Sequence, residues 1–403
     1  MRVVKISPLQ IYDRRERAIV ASADLVLAGA ARLLHPLRRR RKPAAPRRIL
    51  LLRLERIGDF LMAIPAVADV RALAPDAEID LVVGSWNAEL ARSLSAVTRV
   101  ETMDAGWMVR GGSGEGHARM LRRALAWRKR RYDLALNFEP DVRSNALLAV
   151  SGAAWTAGYR SAGGGPLLDE ALEYNPRAHT SDNAQRLVKT AFGKSAVASA
   201  DGGAPLLSIP NEHDRTAAAL LGEARAPVVG IHVSGGRLVK QWDPDRFAAV
   251  AKGLISTHGA TIVLTGTPGD RALIDQVKAA LPASSVIDIS EVASLLTVAA
   301  VLRRCHVMVT GDTGPMHLAY AVRTPIVAVF GPSDPRRYAP RGALDRVVRI
   351  DLPCAPCNRI RLPPARCAGH IPDCLRLVPE SLVLSEVLDL LDTVDRTVRI
   401  PVA

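Results

Sequence analysis

The feature that most constrains the fold is an alternation, met twice along the chain, between short apolar runs and stretches whose apolar residues recur at helical spacing. In the first series Ile49 to Leu54 reads as a strand buried on both faces; the loop Glu55 to Asp59 then leads to a helix starting near Phe60 that carries Met62, Ile64, Val67 and Val70. Strands over 79–83, 99–103 and 132–138 and helices over 87–94 and 118–130 continue it. The second series begins at Val228, with strands over 228–233, 261–265, 286–288, 307–310 and 326–330 and helices over 243–258, 271–281, 292–303 and 315–322. Continuous Val/Ile/Leu runs alternating with helices are the pattern of a parallel sheet covered on both faces. The sequence therefore predicts two doubly wound α/β domains, with the Gly- and Pro-rich stretch 201–227 between them. Folds of this class bind ligands outside the carboxyl ends of their strands, which makes a nucleotide or sugar-nucleotide enzyme the default expectation. The glycine-rich Gly111 to Gly116 follows no strand, so it reads as a flexible loop and not as a dinucleotide fingerprint.

Composition supports a globular reading: of 403 residues 48% are hydrophobic and 23% charged, enough for a sizeable core. No uncharged apolar stretch reaches the length of about 18 residues needed for a spanning helix. The net charge of +14 is unevenly placed, since residues 1–47 hold 12 Lys/Arg against 3 Asp/Glu, leaving the body mildly basic. With only 4% aromatic residues, the body lacks the basic stripe with stacking aromatics that nucleic-acid binding uses, and no nucleic-acid partner is expected.

Within that basic extension Ile19, Val20, Ala23, Val26, Leu27, Ala30, Leu33, Leu34 and Leu37 recur at steps of three, four and seven, one face of an amphipathic helix. Arg38 to Lys42 and a Pro/Ala linker follow. An apolar face beside a basic cluster suits an anionic membrane surface; the alternative is a helix packed on the body with a solvated charge run behind it. No secretory pattern is found at the N-terminus, so a cytoplasmic location, peripheral on the inner face of the membrane, is expected.

Three segments carry the chemistry. Val307 to Val322 runs from a strand into Gly311-Asp312-Thr313-Gly314 and then Pro315, well suited to the first turn of a helix. Thr313 and Gly314 would offer N–H groups and a hydroxyl at the positive end of that helix, a phosphate site, and Asp312 could accept hydrogen bonds from sugar hydroxyls. Alternatively, Asp312 and Thr313 only cap the helix. A second loop, Ser234-Gly235-Gly236 with Lys240-Gln241-Trp242, lies at the same sheet edge; small residues let a diphosphate approach and Lys240 would neutralise it, unless it is a solvated surface charge. The third, Arg53-Leu54-Glu55-Arg56-Ile57-Gly58-Asp59, puts a carboxylate at a helix start, where it caps the helix, takes a proton from a hydroxyl, or does both.

Arg56-Ile57-Gly58-Asp59 with Pro65, Lys240 with Trp242, Gly311-Asp312-Thr313-Gly314 with His317, and Phe330-Gly331-Pro332-Ser333-Asp334-Pro335, in that order, resemble the ADP-heptose transferases of glycosyltransferase family 9 over roughly residues 48–390. The resemblance implies a GT-B fold, two Rossmann-like domains facing across a cleft, and inverting, metal-independent transfer of heptose from ADP-heptose to a lipid-linked lipopolysaccharide core acceptor. It implies Asp59 as the catalytic base and Lys240 as the group holding the diphosphate. Ser234, Gly235, Gly236, Asp312, Thr313, Gly314 and His317 would complete the donor site, with Asp270 at a nucleotide-ligand position where relatives often carry glutamate. Gly235 and Gly236 stand where relatives carry hydroxyl residues, which leaves only backbone donors there. Arg56, Arg143 and Arg160 are candidate acceptor-binding residues. The domains expected are an extension over 1–47, an acceptor-side domain over 48–215 and a donor-binding domain over 225–390. Other readings keep the fold with another nucleotide sugar or a protein acceptor, or make the chain a non-catalytic sugar-nucleotide module.

Cys354, Cys357, Cys367 and Cys374 cluster in a Pro-rich loop over 354–374, a donor set suited to structural zinc or iron; unligated or disulfide-paired cysteines are the alternative. Some relatives, among them heptosyltransferases that modify autotransporter proteins, carry a similar iron-binding finger. No Asp-x-Asp pair of the metal-binding transferase kind stands in the donor loops, and no cofactor is expected for catalysis.

Overall fold

In the computed structural model, which describes residues 14–34, 41–109, 114–193 and 205–398, the two alternating series form two six-stranded, all-parallel sheets. The chain divides between Gly202 and Gly203. The helix Asn211–Leu221 packs on Leu295–Arg303 and so belongs to the second unit, where the sequence expectation ran the first domain to 215.

In the first unit the strands are β1 (Arg48–Arg53), β2 (Glu78–Val83), β3 (Arg99–Thr102), β4 (Leu134–Asn137), β5 (Trp155–Tyr159) and β6 (Glu170–Leu172), in the order β3-β2-β1-β4-β5-β6. The second repeats it with β7 (Val228–His232), β8 (Thr261–Thr265), β9 (Val286–Asp288), β10 (Val307–Gly311), β11 (Ile326–Val329) and β12 (Arg346–Val348), in the order β12-β11-β10-β7-β8-β9. The strand order reverses between β1 and β4 in one unit and between β7 and β10 in the other, the place where doubly wound sheets bind ligands.

The centre of each sheet is dry. Ile49 to Leu52 of β1 are fully buried, as are Val229 and Ile231 of β7 and Val307 and Val309 of β10, so helices cover both faces. Helix ends use local caps: Asp243 accepts from the N–H of Asp245 at 3.0 Å with Pro244 at the first helical position, and Gly259 closes the same helix in the left-handed region at φ 62. The helix after β1 spans Ile57–Leu73, beginning one turn earlier than the apolar spacing predicts because Ile57 and Gly58 already have helical geometry.

The N-terminal helix, Arg14–Leu34, belongs to the first unit. The predicted apolar face is split: Val20 is buried, while Ile19 and Val26 are exposed. Lys42, the last of the basic run, turns to the body, donating to Glu170 at 2.9 Å and to the Thr190 carbonyl. Arg38 to Arg40, Leu37, Gly111 to Ser113 and residues 201–204 lie outside the described residues, as do the side chains of Leu27, Ala30, Leu33 and Leu34. Among the described residues no helix is long and apolar enough to cross a membrane.

Candidate functional site

The loops after β7 and β10 emerge side by side at the second unit's switch point, and they are joined there by an ion pair. Lys240 Nζ lies 2.7 Å from Asp312 Oδ2, with the two side chains only 19% and 12% exposed. Burial alone would raise the Asp312 carboxyl, but the charges of Lys240 and His317 and hydrogen bonds from Lys240 and Ser333 hold it below the usual carboxylate range. Thr313 is the N-cap residue of the helix Gly314–Ala321, yet its side chain makes no capping bond; its hydroxyl lies 3.1 Å from that of Thr310. Neither Asp312 nor Thr313 is thus spent on capping, and Lys240 is not a solvated surface charge.

The shape of the Ser234–Lys240 loop is set by close packing. A Cβ at Gly235 would stand 2.5 Å from the Lys240 carbonyl carbon and the Gln241 nitrogen, so only glycine lets the two arms of the loop touch. Gln241 then ties them, accepting from the Gly235 N–H at 2.7 Å and donating to the Trp242 and Val233 carbonyls. Trp242 is a core residue: 1% exposed, edge-on to Phe247 and donating to the Val378 carbonyl at 3.2 Å. Beside this loop, Asp270 accepts from the Thr267 N–H at 2.9 Å and hydroxyl at 2.7 Å. Its burial would raise the carboxyl, but hydrogen bonds from Ser234 and Thr267 and the neighbouring His232 hold it low. Ser234, Lys240, Asp270, Asp312, Thr313 and His317 therefore gather at the carboxyl edge of one sheet.

The first unit's switch point is built on Arg53, at the end of β1 and 3% exposed. Its guanidinium donates to the Phe138 carbonyl at 2.7 Å and the Asp59 carbonyl at 2.9 Å, and lies 2.7 Å from Glu55 and 3.8 Å from the Asp59 carboxylate. Glu139, fully buried beyond β4, accepts from the Leu54 N–H, from the Glu55 N–H at 2.8 Å and from the Ser144 hydroxyl. The Glu55 carbonyl is held in turn by Trp86 at 3.0 Å and Asn87 at 2.8 Å. Asp59 stands in the first turn of its helix with a third of its side chain exposed; the N-cap is Arg56, which makes no side-chain capping bond. Burial pushes the Glu55 carboxyl up to about 8 against the opposing pull of Arg53, and burial likewise raises Glu139.

The other two arginines have carboxylate partners of their own. Arg143 pairs with Asp141 at 2.7 Å and lies over the Trp107 ring at 4.6 Å, and Arg160 pairs with Glu173 at 2.6 Å. All four loop cysteines are free thiols. Cys374 is buried, and burial together with the charges of Cys357, Cys367 and Cys354 pushes its thiol up to about 12. Among the described residues no three ligating side chains are placed to hold a metal ion.

Arg53, Gln241 and Ser333 stand inside the sequence motifs without an assigned role and Glu139 stands outside them, although two of the four carried a signal. Arg53 is a charge inside an otherwise apolar run, and Glu139 directly follows a buried strand and precedes a proline. Gln241 and Ser333 stand inside recognised motifs as ordinary polar residues.

A family model described as glycosyltransferase family 9 (heptosyltransferase) matches residues 119–364. The lipooligosaccharide heptosyltransferase 2 of Haemophilus influenzae is 25% identical over 317 residues, 75% of this chain and 88% of that protein. A glycosyl transferase family 9 structure from Veillonella parvula superposes with a TM-score of 0.74 at 21% identity, covering 86% of this chain and 98% of the other. The E. coli ADP-heptose LPS heptosyltransferase II gives 0.70 at 22% identity, over 86% and 99%. The two Rossmann-like sheets are those of a GT-B fold. With a match over more than half its length, the chain belongs to glycosyltransferase family 9 and is a glycosyltransferase.

Proposed function

We propose that this enzyme transfers heptose from ADP-heptose to a lipid-linked saccharide of the lipopolysaccharide core, with inversion and without a catalytic metal, at the inner face of the cytoplasmic membrane. The observation that carries the reading is the buried Lys240–Asp312 pair at the switch point, beside the N-terminus of the helix Gly314–Ala321, where Thr313 makes no side-chain capping bond. In this reading the diphosphate lies against Lys240, Thr313 and Gly314, and Asp312 and His317 take the sugar hydroxyls. Ser234 and Asp270 hold the nucleoside, while Gly235 and Gly236 let the donor approach the backbone. Asp59 accepts the proton of the acceptor hydroxyl as its oxygen bonds to the anomeric carbon. The carbon–oxygen bond to ADP breaks on the opposite face, and the electron pair leaves with ADP. Lys240 and the helix N–H groups then stabilise the negative charge that grows on the leaving group.

Arg56, Arg143 and Arg160 enter as acceptor-side cations, the latter two exchanging or sharing their carboxylate partners when an anionic saccharide binds. The cysteine loop enters as a structural element only. Its four thiols have the donor chemistry of a zinc or iron site, but no three of them are placed here to hold an ion; elemental analysis of purified protein reads the metal content, and no step of the transfer passes through the loop.

The test is ADP release by the purified protein, in the presence of EDTA, from a panel of nucleotide sugars with acceptor extracted from a heptose-deficient strain. Release with ADP-heptose alone, with the new linkage inverted by NMR, supports the reading. Release with a different donor or only with a protein acceptor replaces it, and binding without release makes the chain a non-catalytic module.

A further inference from the structure

The N-terminal helix carries the three most exposed large aliphatic side chains among the described residues, Val26 at 73%, Ile19 at 70% and Leu25 at 61%. Isolated exposed apolar residues are ordinary, but three on one arc of one helix are a surface in want of a partner. The opposite arc is fastened to the body. Val20 is buried against Gly163, where an added Cβ would fall 2.3 Å from Val20 Cγ1, and Asp24 accepts from the Gly164 N–H at 2.7 Å.

That attachment lies on the edge that carries Asp59, because the Gly163–Gly165 loop follows β5 as the Asp59 loop follows β1. A continuous set of hydrogen bonds links the two. Asn145 donates to the Gly163 carbonyl at 2.9 Å and accepts from Asn137 at 2.7 Å; Asn137 donates to the Glu139 carbonyl at 3.0 Å; and the Glu139 carboxylate holds the Leu54 and Glu55 N–H groups next to Arg53 and Asp59. The helix is thus seated in fixed register with the loop that bears Asp59.

We propose that this helix is a lipid-facing platform whose outer arc, Ile19, Leu25 and Val26, lies in an anionic membrane surface and whose inner arc, Val20 and Asp24, presents the Asp59 edge to acceptors embedded in that surface. Charge selects the occupant: the segment 1–47 carries +9, exposed Arg15 and Arg17 stand on the helix itself, and of the segment's three acids Asp24 is turned onto a backbone N–H. A second copy of the chain would bring the same positive segment against itself, whereas an anionic bilayer neutralises it. The helix lies on the surface and does not cross it.

The inference rests on the proposed function only for the acceptor being lipid-linked, and its first test needs neither donor nor acceptor. Full-length protein is sedimented with phosphatidylglycerol/phosphatidylcholine vesicles and with phosphatidylcholine alone, then compared with the double variant Ile19→Glu/Val26→Glu. Binding selective for the anionic vesicles, weakened about tenfold or more in the double variant at an unchanged melting temperature and unchanged turnover of a deacylated acceptor, is the expected result. Unaltered vesicle binding overturns the proposal, as does a wild-type dimer in light scattering that the double variant dissociates. Asp24→Ala tests the seating. It should keep vesicle binding yet lower the ratio of turnover on vesicle-embedded to deacylated acceptor, and an unchanged ratio removes the positioning role. If the functional reading fails instead, vesicle binding persists while no acceptor yields ADP.

Discussion

At the switch point of the second unit the carboxylates Asp312 and Asp270 are held below their ordinary range, whereas at the same topological position of the first unit Glu55 and Glu139 are pushed above theirs. Burial acts in the same direction on all four. The difference is in the partners: Asp312 faces Lys240 and His317, and Asp270 has two hydroxyl donors and His232, while in the first unit Arg53 is shared among Glu55, Asp59 and Glu139. One edge therefore has its buried carboxylates compensated by cations and hydrogen-bond donors. The other is short of positive charge, which leaves burial uncompensated at Glu55 and Glu139.

The largest effect that would sharpen this contrast is expected from Asp59→Asn. If the first edge handles the proton, turnover falls by about 10²–10⁴-fold, and ADP-heptose binding measured by calorimetry is retained. Near-normal ADP release would break the contrast, since the first edge would then have no proton to handle. Lys240→Met comes next. It leaves Asp312 buried without its cation and removes the charge facing the leaving group, so the donor KM should rise and kcat should fall together, the latter by about 10²–10³-fold in ADP-release assays. A change in KM alone would limit Lys240 to ground-state binding.

How far the contrast was legible in the sequence follows from what each edge is made of. The second edge was readable because its parts are local: Gly311-Asp312-Thr313-Gly314 and Lys240 each announce a strand-to-helix turn, and the shared strand-order reversal brings them together. The first edge was half hidden. Asp59 lay in a motif, but Glu139, which holds the Leu54 and Glu55 N–H groups of that motif, stands 80 residues beyond Asp59 and reaches them only because β4 pairs with β1. The strands that sequence reading missed, β5, β6 and β12, are edge or next-to-edge strands of three to five residues. Trp-Thr-Ala-Gly-Tyr and Glu-Ala-Leu lack the continuous branched apolar run that marked the central strands: β5 is buried on both faces but is built of small and aromatic residues, and β6 is only half-buried. The amphipathic N-terminal helix was legible as a helix, while the split of its apolar stripe between body and surface depended on Gly163 and Gly164, which only the fold brings beneath it.

The titration of the two edges gives a smaller effect of opposite sign. Glu55 has its folded carboxyl raised from 4.5 to about 8, so between those values the folded protein binds more protons than the unfolded chain and stability falls as pH rises, levelling off above about 8. Asp312 and Asp270 are depressed, so their contribution is present above 3.8 and is lost as pH falls below it. Thermal melts of Glu55→Gln across pH should therefore show a shallower decline between 4.5 and 8, the part that remains coming from other raised carboxyls such as Glu139, while keeping the acid limb. An unchanged slope would mean that Arg53 holds Glu55 ionised in the folded state, and the contrast between the edges would shrink to Glu139 alone.

The smallest effect is expected from Ser333→Ala, which asks how much of the compensation at Asp312 comes from hydrogen bonding and how much from charge. Ser333 is 2% exposed and donates to Asp312. Its loop is fixed from behind, with Asn358 accepting from the Asp334 N–H at 2.8 Å and donating its own N–H to the Pro332 carbonyl at 2.7 Å, so removing the hydroxyl should not move the backbone. The Lys240 ion pair remains, and the cost is one hydrogen bond to a charged group, about 1.5–3 kcal/mol in full and less where water refills the gap. Donor affinity should fall several-fold, with kcat and the melting temperature nearly unchanged. A loss as deep as that of Lys240→Met would mean that the hydroxyl meets the donor directly and that Asp312 is held for a different purpose. No loss at all would assign the low carboxyl of Asp312 to Lys240 and His317 alone, making the second edge a matter of paired charges and the first a matter of too few.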